Sequence, residues 1–205
     1  QEGGENINSN IYKIFNMVED RTDQQIAFYD SGVGSGWYEI FGKMFGFGLS
    51  KNIQECYRFI FDNFQSGDQI YLFGFSRGAT TVRSLSGFIH LFGILPNSRP
   101  ELIEEAYKIY KIKNEKKREK KANEFIDLHR TMWTKIKFLG CFDTVAALGT
   151  PWKGVNAILS TIPLFLHKFH NLKLSDSVEH ARHALSLDEN RKPFLPTLWD
   201  PLPNN

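Results

Sequence analysis

Apolar positions along this chain repeat with two different periods, and the switches between them outline the elements. In IYKIFNMVED, residues 11–20, Ile11, Ile14, Phe15 and Val18 recur at helical spacing and predict an amphipathic helix. QQIAFYD, residues 24–30, is apolar and aromatic and leads into SGVGSG, so it reads as a strand entering a glycine-rich loop. Helical spacing returns with Ile53, Cys56, Tyr57, Ile60, Phe61 and Phe64, with Ser50 placed as N-cap and Gly67 as stop. QIYLFGFS, residues 69–76, has no polar alternation, as expected of a strand covered on both faces. Val82, Leu85, Ile89 and Phe92 then predict a helix that ends before Leu95-Pro96.

From Pro100 to Thr134 the pattern reads as helical throughout. KIKFLGCFDTVAALG, residues 135–149, opens as another buried strand running into Asp143. SDSVEHARHALSLDENRKPF reads as helical from about Asp176 to Asn190, before the Pro-rich LPTLWDPLPNN. Alternation of helix and strand predicts an α/β fold: a mostly parallel sheet with helices on both faces. At 205 residues the chain is long enough for one domain with a real core. The expected organisation is a single domain over 1–205 with a charged helical insert at about 100–134.

Charge changes this picture little. Twenty-five basic against 23 acidic residues leave +2, too balanced to make nucleic acid the main partner. KIYKIKNEKKREKKANEF carries basic residues on every side of a helix, so a solvated surface helix is the default. Contact with anionic lipid headgroups is the minority reading, relevant only for a lipid substrate. Cys56 and Cys141 lie far apart and form no metal-spaced pair; they read as small hydrophobes. No cofactor or metal is expected. GVNAILSTIPLFLHKF, residues 154–169, falls short of the roughly 18 apolar residues of a membrane span and is interrupted by Pro163. It suits a core helix pair or a surface-seeking apolar flap. The opening QEGGENINSN has no signal-peptide pattern, which says little about targeting; the expectation is a soluble domain of unknown localisation.

Candidate chemistry centres on LFGFSRGATTVRSL, residues 72–85, where Gly74-Phe75-Ser76-Arg77-Gly78 matches G-x-S-x-G. A pentapeptide of this form arises by chance in roughly one such chain in twelve, so its context decides. Here a buried-strand pattern precedes it and an amphipathic helix follows, as a nucleophile elbow requires. The sharp strand-to-helix turn crowds the backbone, and residues without a Cβ at Gly74 and Gly78 are expected to relieve that crowding. The turn would lift the Ser76 hydroxyl above the strand, and the Arg77 backbone N–H would supply an oxyanion donor.

Such a serine needs a histidine base and an acid that orients it. Asp143 is the leading acid, at the carboxyl end of a predicted strand and downstream of the serine; its alternative role is a helix N-cap. Asp30 lies upstream, and Asp188 falls in the terminal helix, where a surface ion pair suits it better. The histidine stays open among His90, His129, His167, His170, His180 and His183. His183 is carried as the candidate, although a mid-helix position suits packing or hydrogen bonding better than catalysis.

FYDSGVGS, LFGFSRGATTVR, IKFLGCFDTVAALG and LSDSVEHARHALSLDENRKPFLPTLW come in an order and spacing that resembles one hydrolase group over nearly the whole chain. That group is DUF2235, which includes type VI secretion phospholipase effectors of the Tle1 type. The resemblance implies an α/β-hydrolase with a Ser-Asp-His triad, cleaving acyl esters that in several members belong to glycerophospholipids. Carried over, it implies Ser76 as nucleophile and Asp143 as acid, with a lipid or other acyl ester as substrate. It marks HALSLDENR as a signature, so that His183 can matter without being the catalytic base.

Two departures from the group's pattern stand out. Its members begin with a strand ending Asp-Gly-Thr, and they continue past LPTLW into a Gly-x-His-x-Asp-x-Gly-Gly segment that would supply the catalytic histidine. Neither is in this sequence, so the expectation is a fragment, incomplete at both ends, with two triad members. The alternative reading is a non-catalytic fragment or pseudo-hydrolase that binds without turnover.

Overall fold

The structure is a computed structural model that describes residues 9–18, 22–31, 47–145, 173–188, 190 and 196–199. Its elements in chain order are α1 (Asn10–Met17), α2 (Phe47–Asn63), β1 (Ile70–Phe75), α3 (Arg77–Phe92), α4 (Leu102–Tyr110), α5 (Glu115–His129), β2 (Ile136–Phe142) and β3 (Val178–Ala184). The three strands form one parallel sheet in the order β1-β2-β3. With helices packed on it, the fold is α/β, as the alternating pattern predicts.

Helix α3 is the centre of the core. It leaves β1 directly and is buried from Ala79 through Ile89, and again at Phe92. Apolar residues of β1 and β2, among them Ile70, Leu72, Ile136 and Leu139, are buried with it. Phe88 of α3 meets Tyr57 of α2 edge-on at 4.7 Å and Tyr110 of α4 edge-on at 5.5 Å. Aromatic pairs in this geometry add about 0.5–1.5 kcal/mol each beyond the area they bury. The buried tyrosine hydroxyls find partners: Tyr57 donates to the Gly93 carbonyl at 2.9 Å, and Tyr110 to the Ser84 carbonyl at 2.9 Å.

Several elements differ from the pattern-based expectation. Residues 26–31 form no strand; the neighbouring ladder contact is the isolated Thr22–Gln25 bridge. Side-chain packing holds this stretch instead, with Phe28 stacked on Phe59 at 5.1 Å and Tyr29 against Phe15 at 5.2 Å. Helix α2 begins at Phe47, three residues before Ser50, because Leu49 also packs on the core. It ends at Asn63, and Gly67 sits beyond it in a turn closed by the Gln65 N–H donating to the Asp68 carboxylate. The charged region is two helices rather than one. Residues 111–114 separate them, and the Asn114 side chain caps α5 by accepting from the Lys117 N–H. Only Ala122 and Phe125 of α5 are buried, and its charged side chains are solvated apart from Arg118, which is largely covered and donates to the Ile112 carbonyl at 3.1 Å.

The largest correction concerns residues 176–190, expected as a helix. Val178–Ala184 is a strand, paired with β2 from Ile136↔Val178 to Phe142↔Ala184. Only Val178, Ala181 and His183 of this strand are partly buried. A mostly exposed strand with Ala and His at intervals of three imitates a helical face. In a strand, however, residues three apart point to opposite faces, so His180 and His183 diverge. Asp188 accordingly lies in a bend after β3 and not in a helix. The apolar 154–169 segment, with His167 and His170, lies outside the described residues.

The junction of β1 and α3 sets the site. A Cβ added at Gly74 would lie 2.4 Å from the Gly78 carbonyl oxygen and 2.6 Å from the Ala79 nitrogen, both fixed backbone. A Cβ at Gly78 would meet nothing within 4 Å. The crowding foreseen at both glycines is therefore relieved at Gly74 alone. Gly74→Ala is expected to cost about 2–3 kcal/mol of stability in a denaturant titration. Gly78→Ala should stay within about 1 kcal/mol of wild type, on the stabilising side, because alanine is the better helix former.

Candidate active site

Ser76 is the one-residue corner between β1 and α3. Its φ of 55° and ψ of −115° lie outside the regions open to ordinary L residues. Such a conformation costs on the order of 1–3 kcal/mol and persists only where its surroundings enforce it. The enforcement is visible: the Ser76 N–H donates to the Phe142 carbonyl at 2.8 Å, while its own carbonyl accepts from Thr80 and Val145, each at 3.4 Å. As N-cap of α3, Ser76 makes no side-chain bond to the helix it starts. The residue is half-buried. Its hydroxyl therefore stands at the amino end of a 16-residue helix, where unpaired N–H groups favour negative charge. Arg77 is the first residue of that helix.

Asp143 occupies the same level of the sheet. Phe75 and Phe142 are register partners on adjacent parallel strands, so Ser76 and Asp143 each follow directly at the carboxyl ends. Asp143 also has a positive φ, 44°. Its N–H donates to the Ala184 carbonyl at 2.9 Å, and its Oδ1 accepts from the Ser186 N–H. Thus the end of β3 holds both the backbone and one carboxylate oxygen of Asp143.

The next two residues are fixed as tightly. The buried Thr144 donates its N–H to His183 Nε2 at 3.2 Å, and its Oγ1 lies 3.0 Å from the same nitrogen. Its carbonyl accepts from the Thr197 N–H at 2.7 Å. Val145 returns to the elbow, where its carbonyl accepts from Thr80 Oγ1 at 2.8 Å. The loop after β2 is thereby stitched to α3, to β3 and to residues 196–199.

His183 stands opposite Cys141 in the β2–β3 register, with its ring edge-on to Trp199 at 5.3 Å. Burial first, and then the Arg83 charge, hold the imidazole below the ordinary histidine range, partly offset by Asp143. The ring is neutral near pH 7, and because Nε2 accepts from an amide its proton is assigned to Nδ1. Arg83 is the largest fully buried side chain. Its Nη1 donates to the Thr197 carbonyl at 2.5 Å and its Nη2 to the Leu198 carbonyl at 3.3 Å, with the guanidinium 5.1 Å over the Trp199 ring. Burial also raises the Cys141 thiol to about 11, so it stays protonated despite Arg83.

The other described histidines lie elsewhere. His90 is exposed and 3.2 Å from Ser177 Oγ, His129 packs on Phe125, and His180 is exposed. Asp30 follows no strand. Sequence reasoning misses Arg83, Thr144, Ser186 and Trp199. A signal exists for Arg83 alone: an arginine inside the otherwise apolar and small-residue stretch TTVRSLSGF. Among the described residues no group of three or more His, Cys, Asp or Glu is arranged to hold a metal ion, and no helix is long and apolar enough to cross a membrane.

A three-stranded parallel sheet with helices packed on it, carrying a strained serine and an aspartate at adjacent strand ends, defines an α/β protein. Residues 1–205 match the family described as "T6SS, Phospholipase effector Tle1-like, catalytic domain", and the chain belongs to that family. It is also similar to an uncharacterized protein of Saccharomyces cerevisiae, 31% identical over 220 residues. That alignment covers 95% of this chain and 30% of the relative, so the chain spans less than a third of the relative's length. No solved structure matches.

Arg83→Ala removes a fully buried side chain together with its bonds to the Thr197 and Leu198 carbonyls, and is expected to destabilise the domain by about 3 kcal/mol. Arg83→Lys should recover only part of this, because an ammonium cannot span both carbonyls in a planar fork. Paired denaturant titrations of the two variants check both outcomes.

Proposed function

We propose that this chain is the nucleophile-bearing part of an α/β-hydrolase that cleaves carboxylic esters of phospholipids. What carries the reading is the placement of Ser76 and Asp143 at the ends of adjacent parallel strands, one register step past Phe75 and Phe142. Family membership supports the lipid substrate class. In this reading Ser76 Oγ attacks the ester carbonyl carbon as a histidine accepts the hydroxyl proton. The oxyanion is met by the Arg77 backbone N–H at the start of α3, where the helix dipole adds to the stabilisation. Collapse of the tetrahedral intermediate breaks the ester bond, and the histidine returns its proton to the leaving alcohol. Water then hydrolyses the acyl-enzyme by the same route. Asp143 orients the histidine and balances its charge.

His183 does not fill the role of base in this scheme. Its Nε2, the atom that would accept the serine proton, is engaged by Thr144. The base is assigned instead to a histidine carried by the longer protein, consistent with a chain that spans 30% of its relative.

The test is active-site labelling of the full-length protein with a fluorophosphonate, together with hydrolysis of phosphatidylcholine vesicles. Ser76→Ala should abolish both, and Asp143→Asn should lower hydrolysis by about three to four orders of magnitude. Residues 1–205 alone should label weakly or not at all, and brisk turnover by them would refute the assignment of the base. Full-length protein that binds vesicles but takes no label would instead be a non-catalytic lipid-binding relative.

A further inference from the structure

We propose that His183 is a positioning residue for Asp143: its imidazole is a fixed acceptor that holds the backbone just past the acid in the turn that presents the carboxylate. The inference rests on the reading of Ser76 and Asp143 as nucleophile and acid. Its basis is geometric. Asp143 sits at a φ of 44°, an uncommon conformation for an aspartate that its flanking bonds hold in place. Three of those bonds come from the end of β3, while the Phe142 and Thr144 carbonyls on either side accept from the Ser76 and Thr197 N–H groups. Ala184 accepts the Asp143 N–H, His183 Nε2 accepts the Thr144 N–H, and Ser186 donates to Asp143 Oδ1. Of the three, only the His183 bond is made by a side chain on the β3 side, so it alone is set by residue identity.

The neighbours of His183 enforce a neutral acceptor. Arg83 of α3 opposes a second positive charge, and Asp143 after β2 favours one. Cys141, its register partner on β2, is a protonated thiol, and Trp199 contributes an uncharged ring edge. A protonated His183 would turn an N–H toward the Thr144 amide. The Thr144 hydroxyl can rotate to accept, but the amide cannot. Protonation would therefore release the backbone beside Asp143 while leaving Ser76 in place.

Two substitutions separate this role from that of a general base. The new side chain in His183→Gln would carry an acceptor near the Nε2 position that does not titrate, whereas His183→Ala supplies none. The measurement is the second-order rate of fluorophosphonate labelling at Ser76 in the full-length protein, across pH, with KM for p-nitrophenyl butyrate alongside. For His183→Ala the expected result is a 10- to 100-fold slower rate with KM changed less than twofold. For His183→Gln, the rate should return to within about threefold of wild type. Its acid limb should also lose one ionisation, the one lying below the ordinary histidine range.

A glutamine variant as slow as a base-less enzyme, or an acid limb unchanged by glutamine, would overturn the proposal. An alanine variant as fast as wild type would do the same. If the alanine variant fails to fold, the count of ionisations in the glutamine variant decides alone. Wild-type protein that takes no label at Ser76 fails earlier and differently: it removes the nucleophile reading before any His183 variant is compared.

Discussion

A missing methyl group at Gly74 is the constraint on which the site depends. The first turn of α3 can lie against the end of β1 only because no side chain stands between Gly74 and the backbone of Gly78 and Ala79. That contact forces the corner at Ser76, and the corner holds the hydroxyl at the head of the helix and level with Asp143. The strain at Ser76 is offset by burial, since α3 continues inward as the most enclosed element of the core. Stability and the proposed chemistry share a helix here, and the interior that packs around Phe88 also aims the amino end of α3.

Asp143 is organised by a different logic. It depends on polar contacts drawn from distant segments: the end of β3, residues 196–199 and α3. Arg83 closes this network. A buried guanidinium has few stable environments, and this one spans two carbonyls and an indole face while lowering the proton affinity of His183. One cation thus anchors a strap of chain and reinforces the neutral state that burial already imposes on the imidazole beside it.

The sharp strand-to-helix turn at Ser76 and the parallel β1–β2 pair are legible in the sequence because their signals are local. QIYLFGFS is apolar on both faces, G-x-S-x-G marks a particular turn, and Asp143 ends a second apolar run. β3 is not legible, because few of its side chains are even partly covered and VEHARHA satisfies a helical period as readily as a strand's. Its identity comes from the ladder with β2, a tertiary fact. Residues 24–30 mislead in the opposite sense: aromatic side chains there pack on α1 and α2 without forming a strand. His183 is ambiguous within HALSLDENR for a similar reason: its partner Thr144 lies 39 positions away, and no spacing rule joins them.

The tether between Arg83 and Thr197 joins residues 114 positions apart. During synthesis the ribosome releases α3 long before the carbonyls that will receive its guanidinium exist. Until residues 196–199 emerge, the guanidinium lacks the Thr197 and Leu198 carbonyls that hold it in the finished domain. Thr197 receives the Arg83 guanidinium and also donates to the Thr144 carbonyl, so the tether of α3 and the last bond of the loop after β2 form in one late event.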